Sequence, residues 1–280
     1  MMKRIHFIAG LCALLSGCSP KPPARPDGVP ERIISFSPGI TETVYALGLG
    51  HKIVGATAYC LYPEDAKTLP RIGGFGQYNY EAIVSLHPDL VLLDHNQTDE
   101  QRRLDGLGIP CIRVKTGLMN DILDSIRIIG EACGAEKEAQ TLLDRMQRQI
   151  AAVQPPPGTP PRVLITFGSE AVQIDRIHAF GADCLHSELL ELAGGINVVE
   201  QHLPFSTLSK EAVIRLNPDM IIQLAPGAEA PADLSAPWKD YPSVEAVKNN
   251  RIYLLTGDYT CIPGPRFVRI LNDFNSITHP

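Results

Sequence analysis

From Arg32 onward, short apolar runs alternate along the chain with segments whose apolar positions recur at helical spacing. The runs RIISFS from Arg32, KIVGATAY from Lys52, DLVLLD from Asp89 and CIRVKT from Cys111 are too continuously apolar for half-exposed strands. They predict buried strands of a parallel sheet covered on both faces by helices. TETVYALGLG from Thr41 predicts one of those helices, with Val44 and Leu47 on its inner face and Gly48 and Gly50 as its stop.

One unit of this pattern occurs twice. EAIVSLHPDLVLL, from Glu81, returns as EAVIRLNPDMIIQ, from Glu211. In each copy a good N-cap, Asn79 or Ser209, precedes the glutamate by two positions. A short helix follows, Pro88 or Pro218 ends it, and Leu90–Leu93 or Met220–Ile222 forms the next strand. The openings RIISFSPG at Arg32 and RVLITFGS at Arg162 correspond at the same offset. The pattern predicts an α/β chain of two Rossmann-like lobes with central parallel sheets, residues 31–134 and 158–280. Its period is too long for a stacked-repeat solenoid. Between the lobes, Ala139, Leu142, Leu143, Met146, Ile150 and Val153 keep helical spacing until QPPPGTPP interrupts it. Residues 135–157 therefore read as a connector formed by a single helix, EKEAQTLLDRMQRQIAAV, whose length is about 27 Å at about 1.5 Å per residue. An ordinary surface helix of one domain is the alternative, which the matching lobes on either side disfavour.

The first residues follow a different pattern. A basic start (Lys3, Arg4), an apolar run from Phe7 to Leu15, then Ser16-Gly17-Cys18 is the layout of an export signal over residues 1–17. The run is shorter than the roughly 20 residues a permanent membrane span needs. Leu15-Ser16-Gly17-Cys18 resembles a bacterial lipobox, which makes Cys18 the expected lipidated first residue of a mature chain anchored at the cell envelope. The alternative is an ordinary signal in which Cys18 is incidental. Residues 18–30, rich in proline, read as an extended tether. About 250 residues remain for folding, enough for one large domain or two lobes. The formal net charge of −6, with no basic stripe, gives no support for a nucleic-acid partner. Past Cys18 the cysteines are Cys60, Cys111, Cys133, Cys184 and Cys261, none in Cys-x-x-Cys spacing. Export permits a disulfide, and Cys184 with Cys261 is the expected pair; buried free thiols are the alternative.

Loops after the carboxyl ends of parallel strands form the ligand face of such sheets, so two facing lobes predict a cleft between them. The first lobe would line it with Ser37, Pro38, Gly39, Tyr59, Cys60, Tyr62, Phe75, Gln77, Tyr78, Asp94, His95 and Asn96. The second would offer Phe167, Gly168, Ser169, Ala225, Pro226, Asp258, Tyr259 and Arg266. Aromatic, glycine and proline positions dominate, which suits a large and partly apolar ligand. No nucleophile elbow, phosphate loop or zinc-protease helix is present. No residue reads as catalytic and no resident cofactor or metal is expected. Glu81 and Glu211 fall in the first turn of helices that begin on the cleft side. They are helix-end charges worth about 0.3–1 kcal/mol, or acidic studs on either side of the cleft mouth.

The stretch from Arg32 to Leu93, with ELLELAGGINVV from Glu188 and PSVEAVKNNRIYLLTGD from Pro242, resembles the periplasmic iron-chelate and cobalamin binding proteins of ABC importers. The resemblance covers nearly the whole mature chain. It implies two α/β lobes on one backbone helix, little hinge closure, and delivery of a metal-containing ligand to a membrane permease driven by an ATPase. In that family a glutamate at this helix start in each lobe docks onto permease arginines, and the matching residues are Glu81 and Glu211. The ligand loops AYCLYP and DYTCIPGPR depart from the family pattern with Cys60 and Cys261. The second-lobe disulfide of the family's cobalamin binders does not carry over, because Ala193 stands where its first cysteine is expected. The expected cargo is a corrinoid or a ferric chelate carried by a monomer. A triply charged catecholate would need several cations, and Arg266 is the main candidate, so the balance favours a corrinoid. Haem, with Tyr59 or His95 as axial ligand, a direct metal-ion receptor and an exported enzyme using Asp94, His95 or Asp258 are the alternatives.

Overall fold

The computed structural model describes residues 28–74, 76–168, 176–229 and 231–279. The export signal, Cys18, most of the tether, Phe75 and Ser169 lie outside the described residues. The first half runs β1 (Ile33–Ser35), α1 (Pro38–Ala46), β2 (Ile53–Ala56), β3 (Gly73–Gly74), β4 (Gln77–Tyr78), α2 (Tyr80–Ser85), β5 (Leu90–Asp94), α3 (Thr98–Gly106) and β6 (Cys111–Val114). Helices α4 (Met119–Cys133) and α5 (Glu136–Ala152) follow. The second half runs β7 (Arg162–Phe167), β8 (Ile177–Phe180), α6 (Leu185–Leu192), β9 (Ile196–Asn197), β10 (Phe205–Leu208), α7 (Lys210–Leu216), β11 (Met220–Leu224), α8 (Glu245–Lys248), β12 (Ile252–Leu255) and α9 (Phe267–Thr278).

The first sheet has the order β2-β1-β5-β6, all parallel. Its residues alternate between two cores, as a sheet covered on both faces requires. Ile33, Leu90 and Leu92 enter one cluster, while Ile34, Val91 and Leu93 enter another with Ile83 of α2 and Leu104 of α3. The second sheet, in the order β10-β8-β7-β11-β12 with β9 beside β7, differs from the all-parallel expectation. β7, β9, β11 and β12 are parallel, but β8 and β10 form an antiparallel ribbon at one edge.

The two sheets share a core. Val163, Ile165 and Ile222 of the second sheet fall in the same buried cluster as Ile33 and Leu92 of the first. The joining side chains are Leu142, Leu143 and Met146 of α5, Phe267 and Phe274 of α9, and the inner face of α4. The spacing that predicted α5 is its burial pattern: Ala139, Leu142, Leu143 and Met146 are the buried positions. Helix α4 packs so closely on α5 that a Cβ on Gly130 would come within 2.5 Å of the Ala139 methyl. A shared, close-packed core opposes hinge motion between the halves.

The expected Cys184–Cys261 disulfide is not formed: both thiols are free. Cys184 sits at the N-cap of α6 and turns its Sγ toward its own loop, donating to the Gly181 carbonyl at 3.2 Å. The bond between these two segments is made instead by His186, whose Nε2 lies 2.7 Å from the Thr260 carbonyl oxygen. Burial pushes the Cys261 thiol up to about 11, so it stays protonated and unreactive.

Candidate functional site

All four strands of the first sheet carry their following loops at one edge, and that edge faces the second half of the chain. Beyond β1, Glu42 of α1 meets Arg266. Beyond β2, the Tyr62 ring covers the same arginine, its centroid 3.7 Å from the guanidinium carbon. Beyond β6, the Met119 amide at the start of α4 donates to Glu188 of α6 at 2.7 Å. The cleft of the sequence reading lies along this edge, opposite the 3₁₀ turn Asp258–Cys261 that follows β12.

Arg266 clasps the halves together. Its Nε and Nη2 donate to the two Glu42 oxygens at 2.9 and 2.6 Å, and Nη1 donates to both Asp258 oxygens at 2.9 and 3.0 Å. Burial pushes the Glu42 carboxyl above its ordinary range, with the Arg266 hydrogen bonds and charge pulling it back. Burial also opposes the arginine's charge, but the two carboxylates more than offset this and hold it protonated. Hydrogen bonds from Arg266 hold the exposed Asp258 below the usual carboxylate range. Tyr259 stacks on the outer side of the clasp, 5.8 Å from the guanidinium. Burial and the Asp273 carboxylate, to which its hydroxyl donates at 2.7 Å, push it up to about 12. Next to the clasp the backbones themselves touch: a Cβ on Gly39 would lie 2.1 Å from the Pro263 carbonyl oxygen. The expectation that Arg266 offers positive charge to a ligand is therefore corrected, because all three of its nitrogens are committed to the protein. A groove of about 550 Å³ opens beside the clasp, lined by Glu42, Tyr45, Tyr62, Arg145, Arg266 and Arg269.

Cys60 is likewise not a ligand contact. It is fully buried, with its Sγ 3.1 Å from the hydroxyls of both Thr41 and Thr57. Arg71 closes the same loop by donating to the carbonyls of Thr57, Cys60 and Lys67 at 2.9, 3.1 and 2.8 Å. These bonds hold out a fixed wall of exposed Tyr59, Leu61 and Tyr62. Tyr59 also covers the backbone of Gly74, where a Cβ would come within 2.7 Å of its ring. Tyr78 is half-buried, 4.6 Å from the Phe36 ring, and accepts from Gln97 Nε2 at 2.7 Å. Gln77 is exposed in β4. Ser37 and Pro38 serve α1 itself as N-cap and first residue.

At the end of β5, the His95 ring stands half-exposed with Nδ1 2.8 Å from Asp94 Oδ1. Across the cleft, Phe167 ends β7 as an exposed ring. Sequence reasoning missed Phe205. It is the most exposed large apolar side chain among the described residues, at 59 %. Its ring lies 4.9 Å from Phe180, which stacks 4.0 Å from His186, the residue bonded to Thr260 in the clasp loop. An aromatic in a short strand just before the Ser209 cap was the available signal.

Glu81 and Glu211 occupy the first turns of α2 and α7, both exposed. The caps are made by neighbours: Asn79 Oδ1 accepts from the Ala82 amide at 2.9 Å, and Ser209 Oγ from the Ala212 amide at 3.3 Å. Its own backbone N–H and the Ser209 hydroxyl hold Glu211 below the ordinary range.

Known proteins are similar to this chain over most of its length. A family profile described as periplasmic binding protein matches residues 33–259. An uncharacterized ABC transporter substrate-binding lipoprotein, YvrC, of Bacillus subtilis is 30% identical over 262 residues, covering 90% of this chain and 81% of the relative. Among solved structures, the periplasmic heme-binding protein RhuT from Roseiflexus sp. RS-1 is similar with a TM-score of 0.76 at 27% identity, over 90% of this chain and 100% of that one. The periplasmic vitamin B12 binding protein BtuF of Vibrio cholerae is similar with a TM-score of 0.72 at 26% identity, over 89% of this chain and 97% of that one. Two lobes on a shared core, the clasped cleft between them and a profile match running from the first core strand to the clasp loop lead to one conclusion: the chain belongs to the periplasmic binding protein family.

Proposed function

We propose that this protein is the substrate-binding component of an ABC importer, taking a planar metal chelate of the corrinoid type into the cleft and delivering it to a permease driven by an ATPase. The observation that carries this reading is the chemistry of the cleft walls. They carry exposed aromatic rings at Tyr59, Tyr62 and Phe167, while the buried guanidinium of Arg266 is neutralised by Glu42 and Asp258. Flat aromatic walls reward a flat, weakly charged ligand. A trianionic ferric catecholate would lose its hydration there without gaining paired cations. The similarity to vitamin B12 and heme binders supports the same class. Haem is the second reading, favoured by the half-exposed His95 ring at the cleft edge.

Capture and release need no turnover, and the protein acts as a binder, not an enzyme. Cys18 would carry the lipid of an exported monomer, with residues 18–30 as its tether and Glu81 and Glu211 as docking points for the permease. Titrating the purified protein with a corrinoid, ferric haem and a ferric catecholate, followed by visible absorbance and tryptophan-region fluorescence, tests the ligand class. Saturable binding of the corrinoid or haem is expected. Tight binding of the catecholate alone, or of none of the three, refutes the reading. For the anchor, Cys18→Ala should move the protein from the envelope fraction to the soluble exported fraction.

A further inference from the structure

We propose that the grooves along the outer face of α5 are a contact for anionic membrane lipid, whose headgroup phosphates are held by arginine and lysine side chains; the inference rests on the lipid anchoring proposed above and says how the anchored protein lies on its membrane. The groove of about 550 Å³ beside the clasp is continued by a second of about 300 Å³, and Ala46 and Arg145 line both. Lys137, Arg145 and Arg148 of α5 line this pair of grooves, and Arg269 joins them from α9. All four are exposed, and none makes an ion pair or a side-chain hydrogen bond among the described residues. The carboxylates nearby are committed elsewhere. Glu42 and Asp258 accept from Arg266, and Asp273 accepts from the Tyr259 hydroxyl. Only Glu138 among the lining carboxylates is left to oppose the four cations. No basic stripe is visible along the chain because folding makes this one, by bringing Arg269 of the last helix beside three positions of α5.

Unpaired cations gathered on a chain of net charge −6 select an anion. The floor beneath them is apolar, with Met146 and Val268 buried and Tyr45 and Ala46 alongside. A small hydrated anion would leave that floor uncovered. A phospholipid offers phosphate to the guanidinium forks and glycerol and upper acyl carbons to the floor. The course of the chain agrees. Val29 packs on Gly134, where a Cβ would lie 2.8 Å from the Val29 side chain, so the tether leaves the fold at the turn between α4 and α5. Cys18 lies ten residues before Gly28, the first described residue. Ten residues span at most about 35 Å, and the 17 residues of α5 run about 26 Å. A bilayer holding Cys18 is therefore within reach of both grooves. The tether also lets a weak contact suffice, because a linked second site binds at an effective concentration in the millimolar range. Helices α2 and α7, which carry Glu81 and Glu211, pack on the opposite faces of the two sheets from α5, so lipid contact and transporter docking use different surfaces.

The test uses the exported protein carrying Cys18→Ala, so that no acyl chain contributes, floated with vesicles of phosphatidylcholine alone or mixed with phosphatidylglycerol. It should partition onto the mixed vesicles only, and leave them as salt rises from about 0.1 M to about 1 M and the screening length falls from about 10 to about 3 Å. Arg145→Gln, Arg148→Gln and Arg269→Gln together should weaken partitioning about 100-fold, at about fivefold for each cation. Lysine at the same three positions should keep most of the binding. Arg102→Gln with Arg127→Gln, which removes cations from α3 and α4, should leave it unchanged, and urea denaturation checks that every variant folds. No partition onto the mixed vesicles, or an equal loss in the α3 and α4 control, overturns the contact. Saturable binding of glycerol phosphate without vesicle binding makes the groove a site for a free phosphate ester and overturns it too. The anchor is read separately: wild type found free in the exported fraction refutes the anchor alone, whereas an anchored wild type whose Cys18→Ala form ignores both vesicles refutes the groove alone.

Discussion

Replacing Arg266 with methionine isolates the clasp. The change keeps most of the packing volume and removes four N–H···O contacts of 2.6–3.0 Å. The two carboxylates then respond differently, because the Glu42 side chain is 3% exposed and that of Asp258 is 61% exposed. Asp258 rehydrates, and its half of the network is worth less than about 1 kcal/mol. Glu42 cannot rehydrate, and a buried charge left without its partner costs about 3–5 kcal/mol. Arg266→Met should therefore lower the unfolding free energy by about 3–5 kcal/mol, and Asp258→Asn by less than about 1 kcal/mol. Adding Glu42→Gln to Arg266→Met should recover most of the loss, since the orphaned charge is gone. The sign with pH is fixed as well. Burial already raises Glu42, and without Arg266 to oppose it the folded-state value rises further. Stability tied to such a group is present at low pH and lost as pH rises, so the deficit of Arg266→Met should shrink on acidification. Urea denaturation of the four proteins near pH 7 and near pH 5 reads every term. A cost for Arg266→Met no larger than that for Asp258→Asn, or no recovery in the double variant, refutes the clasp.

Three further outcomes follow from single contacts. Gly39→Ala should cost about 1–3 kcal/mol or more in urea denaturation, because its Cβ would sit 2.1 Å from the Pro263 carbonyl oxygen; Gly106→Ala, with nothing within 4 Å, is the near-neutral control. Burial lowers His186 from 6.5 to about 4, so stability that is whole above pH 6.5 should fall by about 3 kcal/mol as pH drops toward 4. A His186→Gln variant, which can still donate to Thr260, should lose that pH dependence, and an unchanged slope in denaturation curves would contradict the assignment. Glu81→Ala with Glu211→Ala should leave chelate affinity in a titration unchanged and reduce uptake into vesicles carrying the transporter; full uptake would reduce both residues to helix-end charges.

The sheets, the connecting helix and the repeated unit were legible in the sequence because each rests on local periodicity. Leu90 to Leu93 alternate between two cores, and Ala139 to Met146 line one helix face, so the apolar pattern is the packing pattern. The site was legible only as a set of loops. Nothing local shows that Glu42 and Arg266 meet, since they lie 224 positions apart. That pairing turns Arg266 from an apparent ligand cation into an internal clasp. Cys60 misled for a related reason: it stands among exposed tyrosines in the chain, but the loop turns this one residue inward onto Thr41 and Thr57. The antiparallel ribbon of β8 and β10 was missed because its strands, IHAF and FSTL, interleave His178, Ser206 and Thr207 with apolar positions and carry no continuous apolar run. Phe205 was missed with it.

The repeated unit can now be divided residue by residue. Asp89 accepts from the amides of Glu31 and Arg32, and Asp219 from that of Arg162, so the aspartate of each copy ties the unit to the strand beside it. Arg32 and Arg162 return the bond to the last helical carbonyls, at Leu86 and Leu216. His87 and Asn217, just before the two prolines, both turn at positive φ, 45° and 43°. Asn79 and Ser209 cap, while Ile83 and Val213 are the buried helix residues. Nearly every position kept in both copies thus has a job inside its own lobe. Glu81 and Glu211 stand apart: both are exposed, and the capping each could perform is already done by the residue two places earlier. Glu211 in addition takes hydrogen bonds from its own backbone N–H and the Ser209 hydroxyl, so the double variant should separate a local role at the helix start, read as stability, from the proposed docking, read as uptake.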